Sequence, residues 1–234
     1  MFIRRDYSDK SAARQARRRN TSVNIRTPHP KQARRSINGR PNVRAPFAPP
    51  EDWHEPTDRD GYRVVVQQPG DGYRHIVTER QIRDRLALVP QQFLEQLEVV
   101  QLSGMTRKKQ SFPCYGMQWG NAIYLYPLEE SLVEYFYQPP RPSLVNEAKM
   151  YGGRWGEPSP GVWTLTWSEQ AARDFYLNNI LIHELGHLVD ERNSSYMDRE
   201  RFAEWFAIHH GYRSSGGSSV RRPRKIIRRR HHAK

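Results

Sequence analysis

Cysteine is almost missing from this sequence: Cys114 stands alone. That excludes a disulfide framework and any thiolate-built metal centre, and it suits a reducing compartment. Long hydrophobic runs are missing as well. No window approaches the roughly 18 consecutive apolar residues needed to cross a bilayer, and the opening Met1-Phe2-Ile3-Arg4-Arg5-Asp6 carries no apolar signal core. These absences lead to the expectation of a cytoplasmic protein with no membrane span, in which Cys114 is a small buried hydrophobe.

Acidic residues are scarce at the two ends. Residues 1–50 hold 13 Lys/Arg against only Asp6 and Asp9, and residues 213–234 hold nine Lys/Arg and no acid. Both stretches lack apolar periodicity, and the second opens on the Gly/Ser run from Ser214 to Ser219. Such composition cannot bury enough apolar surface to offset chain entropy, so both are expected to be disordered basic arms flanking one domain at 51–212. The formal charge of +13 therefore belongs to the arms, while residues 51–212 carry 23 Asp/Glu against 16 Lys/Arg and are net acidic. Arms of this kind can neutralise nucleic-acid phosphates or another polyanion without reading sequence; they can equally be solvated or fold back on the acidic domain.

Within 51–212 the pattern suggests an α+β fold. Tyr62–Gln67 and Tyr73–Thr78 bracket Gln-Pro-Gly-Asp-Gly and read as a hairpin, after which Thr78 caps a helix to about Leu88. A short helix is expected over Pro90–Leu97, and three strands over Val99–Leu102, Phe112–Met117 and Ala122–Tyr126, forming a small antiparallel sheet. Residues 138–161 read as an irregular crossing with a short helix near Val145–Met150. Val162–Trp167 alternates like a strand. Ser168 then caps a helix running to about Asp190, and Ser194 or Ser195 caps a last helix ending at Gly211.

The chemistry lies in the penultimate helix, at His183-Glu184-Leu185-Gly186-His187. Residues i and i+4 share a helix face, so both imidazoles can grip one metal ion, and the intervening glutamate can take a proton from a water on that metal. Phe175, Ile182, Leu185 and Val189 fall on the opposite face, which packs while the histidine face coordinates. Gly186 costs a helix about 1 kcal/mol relative to alanine, so it suits a position where another backbone or a substrate comes close. A catalytic zinc ion takes a third protein ligand. The short connection makes the last two helices neighbours. If the second begins near Asp198, Glu204 comes level with the metal; if it begins nearer Ser195, Glu200 does. Asp190, one turn past His187, either orients a ligand or faces solvent.

On these residues the chain resembles the gluzincin zinc metallopeptidases. His183–Asp190 looks like their active-site helix, and Ala203-Glu204-Trp205-Phe206-Ala207 looks like the glutamate helix of lethal-factor-like members; the overlapping Glu200-Arg201-Phe202-Ala203 matches the same pattern nearly as well. The resemblance covers roughly residues 162–211. It implies zinc held by His183, His187 and Glu204, with Glu184 as the catalytic base for peptide-bond cleavage and Tyr196 as an oxyanion stabiliser. It also implies that strand Val162–Trp167 holds an extended peptide or protein substrate by strand addition. The alternative reading is a nucleic-acid-associated protein that acts through its basic arms and keeps a structural or vestigial metal site.

Overall fold

The computed structural model describes residues 50, 52–57, 61–106, 109 and 114–216. Apart from Pro50 and residues 213–216, the two expected arms lie outside the described residues. Among the described residues, nine short strands and the helices between them make an α+β architecture, as expected.

Strands β1 (Arg63–Val66), β3 (Val99–Leu102), β5 (Ala122–Leu125) and β4 (Gly116–Trp119) form a four-stranded sheet in that spatial order. β1, β3 and β5 run parallel, and β4 closes one edge antiparallel to β5. The expected hairpin does not form. The Gln67–Gly72 turn is present, with Gly70 and Gly72 at φ of 94° and 78° and Tyr73 N–H donating to Gly70 O. It leads the chain away, however, so that β2 (Tyr73–Arg74) pairs with β6 (Leu128–Glu129) instead. Helix α1 (Glu79–Leu86) then carries the chain over to β3, the kind of crossover that parallel neighbours require. Thr78 and Gln81 close a reciprocal capping box at its start, and Ile82 and Leu86, one turn apart, are fully buried. Pro90–Leu97 yields only a single 3₁₀ turn, Gln91–Phe93.

A second sheet is antiparallel, ordered β7 (Val133–Phe136), β9 (Val162–Thr166), β8 (Arg154–Ser159). β8 falls inside the stretch expected to be irregular, which otherwise holds helix α2 (Pro142–Met150). Because β9 is paired on both sides, it has no open edge for strand addition, which overturns the role expected of Val162–Trp167.

Ser168 accepts a hydrogen bond from the Ala171 N–H at 3.1 Å and starts one continuous helical rod: α3 (Glu169–Phe175), a π turn (Tyr176–Ile180) and α4 (Leu181–Val189). Helix α5 (Tyr196–Phe206) follows and continues into a second π turn, Ala207–Tyr212, which runs through the expected stop at Gly211. The two π turns pack on each other, and a Cβ at Gly211 would collide with the backbone carbonyl of Asn178. Glycine is there for close approach rather than to end a helix.

The main core gathers Val100, Leu102, Ile123 and Leu125 from the first sheet with Phe175, Ile182 and Leu185 from the rod. The other sheet face carries a smaller cluster of Val99, Met117, Ala122, Tyr124 and Tyr126, against which Cys114 is half-buried.

Candidate metal centre

Helix α4 is buried on every side from Leu181 to Leu188. Burying two imidazoles and a carboxylate there is costly unless they are paired or coordinating, so their placement calls for chemistry. The sequence puts His183 and His187 one turn apart, and their rings meet edge to face with centroids 4.8 Å apart.

What completes the cluster is set by the start of α5. Asp190 folds its carboxylate into the connecting loop, accepting from the Arg192 and Asn193 N–H groups at 3.3 and 3.2 Å and from Asn193 Nδ2 at 3.0 Å. Asp190 therefore serves the turn rather than a histidine. Ser195 caps α5 by accepting from Asp198 N–H at 3.2 Å, so the helix begins at Tyr196. Arg199 reaches back to donate to the His187 carbonyl at 3.0 Å, satisfying one of the carbonyls a helix end leaves open. With this start, Glu200 arrives at the histidines: its carboxylate oxygens stand 3.7 Å from His183 Nε2 and 3.4 Å from His187 Nε2. Glu204, the third ligand expected, lies one turn further on and is exposed, outside the cluster. Tyr196 is 46 % exposed at the first position of α5, four residues before Glu200 and hence on the same helix side.

His183, His187 and Glu200 can hold a metal ion: one ligand atom from each lies within 4.8 Å of the others. The fit can be tested on distances. Donors about 2.0–2.2 Å from a tetrahedral divalent ion stand roughly 3.3–3.6 Å apart. The two carboxylate–imidazole separations fall at or just beyond that span. Protonation agrees with the donor set. Burial drives His183 down to about 3 and keeps it neutral. Burial alone would raise Glu200, but its contacts with His183 and His187 outweigh it and hold the carboxyl below the ordinary range.

Glu184 sits behind this cluster, 3 % exposed, and burial pushes its carboxyl up. His187 and a hydrogen bond from the Gln118 backbone N–H pull the other way. Its Oε2 is buried with no hydrogen-bond partner among the described residues. β4 lies directly against it: a Cβ at Gly116 would come within 2.6 Å of Ile180 Cγ2 and 3.0 Å of Glu184 Cγ. Only glycine lets the strand approach this closely. Gly186 works likewise between the helices, where a Cβ would stand 3.0 Å from Ala203 Cα and 3.1 Å from Phe206 Cβ, bearing out the close backbone approach expected there.

The sequence reading missed Gly116 and Gln118. A lone glycine at the start of a strand was the available signal, since such a glycine often marks close approach of another element. No family model matches the chain, no curated protein is significantly similar to it, and no solved structure is either.

Proposed function

We propose that this chain is a zinc-dependent metallopeptidase of the gluzincin type, with His183, His187 and Glu200 holding the metal and Glu184 as the catalytic base. The observation that carries the reading is the convergence of three ligand atoms within 4.8 Å, beside a buried glutamate contributed by the same helix as both histidines. Two neutral imidazoles and one carboxylate are the donor set of catalytic zinc sites that leave a fourth position open. Zinc bound there would bring the pKa of a water toward neutrality and polarise a scissile carbonyl.

The remaining work falls to the chain itself. Burial raises the Glu184 carboxyl, the direction that makes a carboxylate a better proton acceptor. The Gln118 N–H fixes one side of that carboxylate, so the proton is accepted at an oriented oxygen and passed to the leaving amine. β4 is an edge strand beside Glu184, with no partner on its outer side among the described residues. An extended peptide adding to that edge would present its backbone next to the base, a contact that reads main chain more than side chains. Tyr196, on the Glu200 side of α5, keeps its proposed part as oxyanion donor; Tyr196→Phe should lower kcat with little change in KM.

Hydrolysis of a quenched-fluorescence peptide mixture, with and without zinc and a chelator, tests the proposal. Turnover should require zinc and fall by at least about 10² in Glu184→Gln. Turnover close to the wild-type rate in that variant would sink the mechanism.

A second reading rests on charge segregation, since the excess of basic residues lies in 1–50 and 213–234. Those segments are proposed to bind nucleic acid or another polyanion through phosphate neutralisation, alone or to deliver the peptidase to a particle.

A further inference from the structure

Arg85, at the next-to-last position of α1, is buried. Its guanidinium stands between the two π turns: Nε donates to Asn178 Oδ1 at 2.6 Å, and Nη2 donates to the His210 carbonyl. Asn178 belongs to the first π turn and His210 to the second. Among the described residues no carboxylate forms an ion pair with Arg85, and its Nη1 is buried with no hydrogen-bond partner. Burying a guanidinium without a counter-ion lowers stability, so packing alone does not account for an arginine here. What its planar fork supplies is a fixed distance between the two acceptors it holds. Tyr151 spans the same junction, donating its hydroxyl to the Asn178 carbonyl at 3.3 Å and meeting the Tyr212 ring edge-on with centroids 5.4 Å apart.

The place of this junction gives it a consequence for the metal centre. The first π turn leads directly into α4 and the second continues α5, so both lie at the end of the helix pair opposite its connecting loop. At the loop end, Arg199 donates to the His187 carbonyl at 3.0 Å. His183, His187 and Glu200 lie between these two ties. A functional constellation has to be held to within about 0.5 Å, and a supporting shell about 1 Å too loose spoils it. The carboxylate–imidazole separations of 3.7 and 3.4 Å already stand at the upper end of what one ion bridges, so α5 cannot drift outward without loss of the third ligand.

We propose that Arg85 is a positioning residue of the metal centre: by clamping the two π turns together it fixes α4 against α5 at the separation where Glu200 meets both histidines. This rests on the metal-binding part of the proposed function and not on peptide cleavage. In the full chain, cobalt(II) replaces zinc, and its visible absorption reports the coordination geometry while competition with a chelator gives the affinity. Arg85→Lys keeps the charge and loses the fork; Asn178→Ala removes the acceptor on the first π turn. Each should weaken cobalt at least about tenfold, as when groups supporting a metal site are disturbed, and should alter the spectrum. Because both act through one contact, the double variant should bind little worse than either single one. Val100→Ala, a cavity in the core on β3, should lower the thermal midpoint and leave the spectrum and the affinity unchanged. Wild-type spectra and affinities in both variants at the junction, or the same spectral change in Val100→Ala, would overturn the role of Arg85 and leave the peptidase reading standing. The expected shifts in a chain that never cleaves peptide would keep Arg85 and discard the peptidase; a wild type that binds no cobalt would overturn both.

Discussion

Three side chains on two helices, His183, His187 and Glu200, converge into a group that could hold a metal ion. The linkage to pH follows from His183. Its folded pKa of about 3 lies below its ordinary 6.5, so between those values the unfolded chain takes up a proton that the folded chain refuses. Stability of the metal-free chain therefore falls as pH drops from about 6.5 toward 3. The raised carboxyls of Glu184 and Glu147 act in the opposite sense, gaining stability as pH falls through their folded values. Comparison with His183→Gln isolates the first effect: thermal midpoints of the chelated proteins, followed from pH 7 to pH 4, should fall more steeply in the wild type. A steeper fall in the variant would mean that His183 is not buried neutral. Glu184→Gln keeps the size and burial of the base and removes its proton chemistry. Peptide turnover should drop by roughly 10²–10⁴, the usual worth of a positioned acid–base group, while zinc content stays unchanged.

At the scale of elements, the helix pair was legible in the sequence because its signals are local. Ser168 and Ser195 cap where serines cap, and the apolar spacing of Phe175, Ile182 and Leu185 marks the packed face. Which glutamate meets the histidines turned on a shift of two residues in the helix start: a helix beginning at Tyr196 rather than Asp198 delivers Glu200 in place of Glu204. The strand pairings were much less legible. Parallel partners such as Val64 and Val100 are joined only through a helix between them, and nothing local in Tyr62–Gln67 states which strand it will meet. The π turns were illegible for a related reason, since the contact of Gly211 with the Asn178 backbone joins distant segments. Gly186 offers the sharpest test at this scale. Alanine gains about 1 kcal/mol in helix propensity, yet its Cβ would press on the Ala203 backbone, and overpacking costs typically 1–3 kcal/mol. Gly186→Ala should therefore lower the urea midpoint and weaken zinc binding together, as α5 is pushed from α4. A stabilised variant with unchanged zinc affinity would show that the helices are not in such close contact.

Across the whole molecule, the acidic residues concentrate in 51–212, where the His183, His187 and Glu200 cluster is, and the basic excess lies outside it. The proposed metal binding and the proposed polyanion binding can thus be tested separately. Removal of 1–49 and 217–234 should abolish salt-sensitive binding to DNA or RNA while leaving zinc content unchanged. Binding that persists with an unchanged salt slope would place the polyanion contact on the acidic domain and discard the role given to the arms. The claim on which the rest depends is that His183, His187 and Glu200 hold zinc, and elemental analysis of the purified chain beside Glu200→Ala and Glu204→Ala tests it most directly. One zinc per chain is expected in the wild type and in Glu204→Ala, with loss in Glu200→Ala; no zinc in the wild type, or full zinc in Glu200→Ala, would contradict it.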